Sequence, residues 1–147
     1  MAYCLGGRQN RAVAVRCGGR GDVSESHKLW QVTIGANVTS PIYLDGKLYW
    51  ASDRGVANCL DAATGESLLQ ERIPTRARIY ASAVYGDGHL YVTTRDSGII
   101  VLEAKPEYRE IATNVFEDDP HLLNATPAIA DGRLYVRTNG WLYAIGK

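Results

Sequence analysis

Three cysteines, three histidines and one pair of adjacent aspartates are the residues of this 147-residue chain whose types could do chemistry, and their spacing decides what kind. Cys4, Cys17 and Cys59 form no CxxC pair and stand at no zinc-finger spacing from His27, His89 or His121. Neither a metal site nor a redox pair is therefore signalled. Cys59 lies beside Leu60 in a strand-like run, the setting of a small buried hydrophobe. Nothing in the sequence speaks for a bridge between Cys4 and Cys17. Asp118 and Asp119 have the form of an acid–base pair, but Pro120 follows them, and consecutive acids before proline describe a turn more simply. Arg20-Gly21-Asp22 has the form of an integrin-binding tripeptide, yet a Gly-rich loop favours those residues anyway. Asn37-Val38-Thr39 and Asn124-Ala125-Thr126 satisfy the glycosylation sequon at similar offsets of a repeat, where a structural turn accounts for them equally well.

Charge narrows the partners. Lys and Arg total 16, as do Asp and Glu. No basic excess supports nucleic-acid or anionic-membrane binding by phosphate neutralisation, so no nucleic-acid partner is expected. With 46% of its residues hydrophobic the chain can build a core. No run is long and apolar enough for a membrane span, and Met1 to Arg8 lack the apolar stretch of a signal peptide, so the chain as written reads as soluble.

The elements that must position any site come from a repeat. Thr39-Ser40-Pro41-Ile42-Tyr43-Leu44-Asp45-Gly46-Lys47-Leu48-Tyr49 recurs as Ala81 to Tyr91 and as Ala125 to Tyr135. Its Asp-Gly pairs begin at 45, 87 and 131, a spacing of 42 and then 44 residues. That matches the roughly 40 to 45 residues of a four-stranded propeller blade. Asp-Gly between apolar runs predicts a tight hairpin. A second turn follows at Asp53-Arg54-Gly55, Asp96-Ser97-Gly98 and Asn139-Gly140, so third strands are expected at Val56 to Leu60, Ile99 to Leu102 and Trp141 to Ile145. Ser67 to Ile73 and Arg109 to Asn114 complete fourth strands. These runs are apolar on both faces, as in sheets stacked between neighbours.

The reading is an all-β chain: a partial β-propeller of four-stranded antiparallel blades, about three to three and a half of them. Residues 1–34 are expected to hold the last two strands of a preceding blade, at Arg11 to Arg16 and Lys28 to Val32. Residues 35–75 and 76–120 are expected to be complete blades, and residues 121–147 three strands of an incomplete one. Bare blade faces would favour self-association or docking of missing blades.

In such an arc the loops after the second strand and those between blades share one face. That face would carry Asn37, Asp53, Arg54, Arg76, Arg78, Arg95, Asp96, His121 and Asn139, together with Asp118 and Asp119. Mixed charge on a loop-built surface suits a protein partner. Tyr80 and Asn124, near the starts of inner strands, are candidates for lining a central channel.

Leu60-Asp61-Ala62-Ala63-Thr64-Gly65-Glu66, after a Gly-Lys-Leu-Tyr strand, resembles the pyrroloquinoline-quinone-type β-propeller repeat, usually Ala-x-Asp-x-x-Thr-Gly followed by tryptophan. Glu103-Ala104 and Tyr143-Ala144-Ile145 retain parts of it, while Leu69 stands near the family's tryptophan position. Cys17 to Asp22 followed by Leu29-Trp30 resembles the C-terminal part of long bacterial propellers. The resemblance implies a piece of a larger ring from an exported, periplasmic or otherwise extracytoplasmic parent.

The family includes quinone-dependent dehydrogenases, which need an oxygen-ligated Ca²⁺, an aspartate base and, in many members, adjacent cysteines. No motif here matches those residues, so no catalytic, cofactor or metal site is assigned and no cofactor is expected. The expectation is a non-catalytic propeller segment serving as a protein-binding or assembly scaffold. The alternative is the C-terminal part of a pyrroloquinoline-quinone-dependent alcohol or sugar dehydrogenase.

Overall fold

The computed structural model describes residues 1–7 and 9–146; Arg8 and Lys147 lie outside the described residues. Among the described residues fourteen strands form four antiparallel sheets. The first contains β1 (Ala2–Gly6), β2 (Arg11–Val15) and β3 (Lys28–Val32). The second runs β4 (Ile42–Leu44), β5 (Lys47–Ala51), β6 (Val56–Asp61) and β7 (Ser67–Arg72) in spatial order. The third repeats it with β8 (Val84–Gly86), β9 (His89–Thr93), β10 (Ile99–Glu103) and β11 (Glu110–Asn114). The fourth holds β12 (Ala128–Ala130), β13 (Arg133–Arg137) and β14 (Leu142–Ile145). The expected all-β partial propeller is the fold observed.

The hairpins obey the turn chemistry. Asp45 and Gly46 have φ of 46° and 75°, Asp87 and Gly88 of 48° and 76°, and Asp131 and Gly132 of 48° and 71°. A two-residue turn with positive φ at both positions matches the strand twist, and Asp tolerates that region where a β-branched residue would not. The outer pairings share an irregularity: the register shifts between Cys59 and Leu60 against β7, and between Val101 and Leu102 against β11. The Pro106 segment that replaces the Thr-Gly turn therefore leaves the blade's pairing intact.

The first sheet departs from expectation, with three strands rather than two. β1 pairs with β2 from Ala2↔Val15 to Gly6↔Arg11. Tyr3 and Leu5 pack against the cluster of Leu48, Trp50 and Leu60, and Tyr3 stacks on Tyr43 at 5.9 Å. Two alternating apolar side chains are a weak strand signal, and contact with the next sheet decides the matter.

The core lies between sheets. Tyr49, Ala51, Cys59, Ile73 and Ile79 meet Leu90, Val92, Ile100 and Leu102 in one cluster spanning the second and third sheets. A smaller cluster of Ile99, Leu123 and Val136 joins the third to the fourth. The fourth sheet turns apolar surface outward: Ile129 is 42% exposed, Leu142 69% and Ile145 45%.

A hydrogen-bonded ladder also crosses the sheets beside their first strands. Ser40 N–H donates to Ser82 Oγ (2.9 Å), and Ser82 N–H to Thr126 Oγ1 (3.0 Å). These are equivalent repeat positions, so each hydroxyl satisfies a backbone donor of the blade before it.

Candidate functional site: the connector rim

Within each blade the Asp-Gly hairpin and the third-to-fourth strand turn share one edge. Ala62 N–H bonds Gly46 O, and Ala104 N–H bonds Gly88 O, both at 2.9 Å. The second-to-third strand turns and the interblade connectors gather at the other edge. Arg95 N–H reaches Arg78 O (2.8 Å), Leu123 N–H reaches Arg95 O (2.8 Å), and Asn139 N–H reaches Leu122 O (3.0 Å). The backbone thus ties the candidate residues into a rim, and their side chains divide into separate groups.

Within the first complete repeat, Asn37 N–H donates to Asp53 Oδ1 (3.1 Å), and Asp53 is 9% exposed. Asp53 thus serves the scaffold, whereas Asn37 joins it through its backbone alone and is exposed. Arg54, Arg76 and Arg78 line an open groove of about 470 Å³, joined by Arg72 from the end of β7. Arg72 completes a strand in the sequence pattern, and only the fold brings it to the groove.

Nearer the inner strands, the Arg95 guanidinium lies 4.9 Å from the Tyr80 ring centre and its Nε–H donates to Asn124 Oδ1 (2.9 Å). Tyr80 and Asn124 occupy equivalent repeat positions, so Arg95 links two blades through both. Asp96 carries only a local bond, accepted from Ser97 Oγ (3.1 Å).

At the next boundary Asp119 is not the surface turn residue expected. Its side chain is 1% exposed. Oδ1 meets the His121 backbone N–H (3.0 Å) and Nδ1 (2.6 Å), while Oδ2 accepts from Thr138 Oγ1 (2.7 Å) and Tyr143 O–H (2.9 Å). Burial works to raise its pKa, but the bonds from Thr138, His121 and Tyr143 outweigh it and hold the carboxyl well below the usual range. No hydrogen bond among the described residues reaches His121 Nε2 from a hydroxyl or thiol. The pair joins a connector to the fourth sheet. Asp118 is exposed and makes no ion pair among the described residues.

All three cysteines are free. Cys59 is fully buried, and desolvation pushes its thiol up; desolvation likewise pushes the Tyr108 hydroxyl to about 12, with Glu110 adding to the effect. Among the described residues no three His, Cys, Asp or Glu side chains gather where they could hold a metal ion. Among the described residues no helix is long and apolar enough to cross a membrane.

One contact hidden from the sequence explains the Thr-Gly turn. Trp30, on β3 of the first sheet, donates its indole N–H to Ala62 O (3.0 Å) and lays its ring against Gly65, where an added Cβ would stand 2.7 Å from Trp30 Cδ2. Leu69 replaces tryptophan in the next sheet. Leu69, Ala104 and Tyr108 each pack, partly buried, against the core shared by the second and third sheets.

Four-stranded blades, Asp-Gly hairpins and a tryptophan docked on the preceding edge of a Thr-Gly turn define a pyrroloquinoline-quinone-like β-propeller. The comparisons agree. Residues 22–146 match the family described as outer membrane protein assembly factor BamB, and the chain belongs to that family. Among solved structures, BamB from Moraxella catarrhalis superposes with a TM-score of 0.69 at 12% identity, over 92% of this chain and 37% of that one. A quinohemoprotein alcohol dehydrogenase, ADHIIG from Pseudomonas putida HK5, superposes with a TM-score of 0.56 at 17% identity, over 74% of this chain and 19% of that one. The likenesses establish the fold, and the chain spans little more than a third of the first protein and just under a fifth of the second. Comparison with curated proteins gives no match.

Proposed function

We propose that this chain is a non-catalytic part of an extracytoplasmic propeller and acts as an assembly scaffold, holding a protein partner on its connector rim. The observation that carries the reading is the division of labour among the rim residues. Backbone bonds, the Asn37 N–H among them, and the Asp53 and Asp119 side chains fix the connectors, while Arg54, Arg76, Arg78 and Asp96 project from them. A rigid frame with outward polar groups lowers the ordering cost of binding a partner. Membership in a family described as an assembly factor supports the same conclusion. The outward apolar surface of the fourth sheet is suited to a further blade or a second copy.

A second reading draws on the likeness to a quinohemoprotein dehydrogenase. In it the chain is the structural tail of an alcohol or sugar dehydrogenase whose chemistry resides in other blades. The residues described here do not fit the quinone and its calcium, since no carboxylate cluster is present among them and the cysteines are neither adjacent nor bridged. Hydrogen exchange of the purified chain, mixed with the outer-membrane assembly fraction of its source cells, tests the first reading. Protection at residues 52–55, 74–80 and 117–124, with none at 45–46, 87–88 and 131–132, is the expected result. Calcium-dependent quinone binding and dye reduction by the chain, without rim protection, would overturn it.

A further inference from the structure

We infer that the groove between the first two complete repeats is a docking site for an acidic peptide segment of the protein partner; the inference rests on the scaffold reading and adds the chemistry of what it holds. Arg54, Arg72, Arg76 and Arg78 line this groove, and Thr75 and Ala77 complete it. Four guanidinium groups on one open surface repel one another unless anions lie between them. No carboxylate among the described residues does so, since the ion pairs found there join Lys28 to Glu25 and Lys105 and Arg109 to Glu103, and Asp119 is taken up by His121, Thr138 and Tyr143. Asp53, the acid next to Arg54, is nearly buried and accepts the Asn37 N–H.

The connector is built to present these arginines. Ile73 and Ile79 are fully buried at its two ends and Ala77 is 8% exposed, so Arg76 and Arg78 alternate outward. Thr75 N–H bonds Ile73 O (2.7 Å), Ala77 N–H bonds Thr75 Oγ1 (3.1 Å), and Arg78 O accepts Arg95 N–H (2.8 Å). The loop is thus held before any ligand arrives, and planar guanidinium forks match carboxylates two bonds at a time.

The neighbouring connectors show that this charge is local. The equivalent segment before the second sheet, Thr33 to Pro41, carries no charged residue, and the one after the third sheet carries Glu117, Asp118 and Asp119. With acidic and basic residues balanced over the whole chain, no extended positive field exists to track a nucleic-acid backbone. A short acidic stretch of polypeptide fits a single confined cluster better.

The test is fluorescence anisotropy of the intact chain with a fluorescein-labelled peptide of alternating Glu and Ser, and with its Lys and Ser counterpart. Expected are saturable binding of the acidic peptide alone, weakening with salt, and a loss of affinity of about tenfold or more in R76E/R78E. R76Q/R78Q removes charge without adding repulsion and should fall between, while R137E, away from the groove, should bind as wild type. Absence of acidic-peptide binding, or binding unmoved by the reversals, overturns the proposal. So does equal competition by inorganic phosphate or oligothymidylate, which would make the groove a phosphate site. An increase in solution mass that R76E/R78E abolishes would assign it to a second copy instead. If the peptide fails while exchange protection at 74–80 persists with the assembly fraction, only the acidic specificity falls; loss of both removes the scaffold reading as well.

Discussion

Replacing Gly65 by alanine perturbs the contact that joins the first sheet to the second. Gly65 has φ of +78°, a region that costs an L-residue about 1–2 kcal/mol. Its new Cβ would also stand 2.7 Å and 2.8 Å from Trp30 Cδ2 and Cε3, which forces the indole away. Moving the ring breaks the 3.0 Å bond to Ala62 O, worth about 1 kcal/mol, and loosens the ring's packing. Gly46→Ala is the control, because Gly46 has φ of +75° and an added Cβ there meets nothing within 4 Å. The two variants share the backbone cost and the change in the unfolded chain, so their difference isolates the docking. Urea unfolding followed by far-ultraviolet circular dichroism should show Gly65→Ala less stable than Gly46→Ala by about 1 kcal/mol or more. In a Trp30→Ala background that excess should vanish, since the partner is gone. Equal costs in the wild-type background, or an excess that survives loss of Trp30, would refute the reasoning.

Other substitutions probe the remaining joints. Thr93 is fully buried and its Oγ1 has no hydrogen-bond partner, so Thr93→Val should raise stability by about 1 kcal/mol in the same urea assay; a loss would mean the hydroxyl is satisfied. Asp119→Asn should destabilise the chain at neutral pH. Because the folded carboxyl titrates below its ordinary value of 3.8, its contribution is complete above that pH and fades as pH falls beneath it, so the gap between variant and wild type should close in acid. A gap that stays constant with pH would show that the charge is not what Thr138, Tyr143 and His121 recognise. Cys4 and Cys17 are exposed and should react with a thiol reagent in the native chain, while Cys59, buried and with its thiol pushed up, should react only on unfolding.

Local signals made the blades legible. Asp-Gly has few other uses between two apolar runs, and the three copies fix both the period and the register of the hairpins. Contacts between repeats were opaque. Trp30 and Ala62 are 32 positions apart, and nothing in either segment announces the other. β1 escaped notice because its strand character comes from Tyr3 and Leu5 resting on the neighbouring sheet. The rim was half legible: loop position identified Arg54, Arg76 and Arg78, but Arg72 belongs to a strand and enters the groove only through the fold. Asp119 shows the opposite failure, since an acid before proline has the look of a solvated turn until Thr138 and Tyr143 arrive from the last sheet.

The scaffold account is tested most directly by a photo-crosslinking amino acid placed singly at Arg54, Arg78 and Asp96 on the connector rim, and at Lys47, His89 and Arg133 beside the hairpins, in source cells. The account predicts that one protein of the outer-membrane assembly apparatus, identified by mass spectrometry, crosslinks from the rim positions and not from the hairpin edge. Equal crosslinking from both edges, or none from the rim, would contradict it.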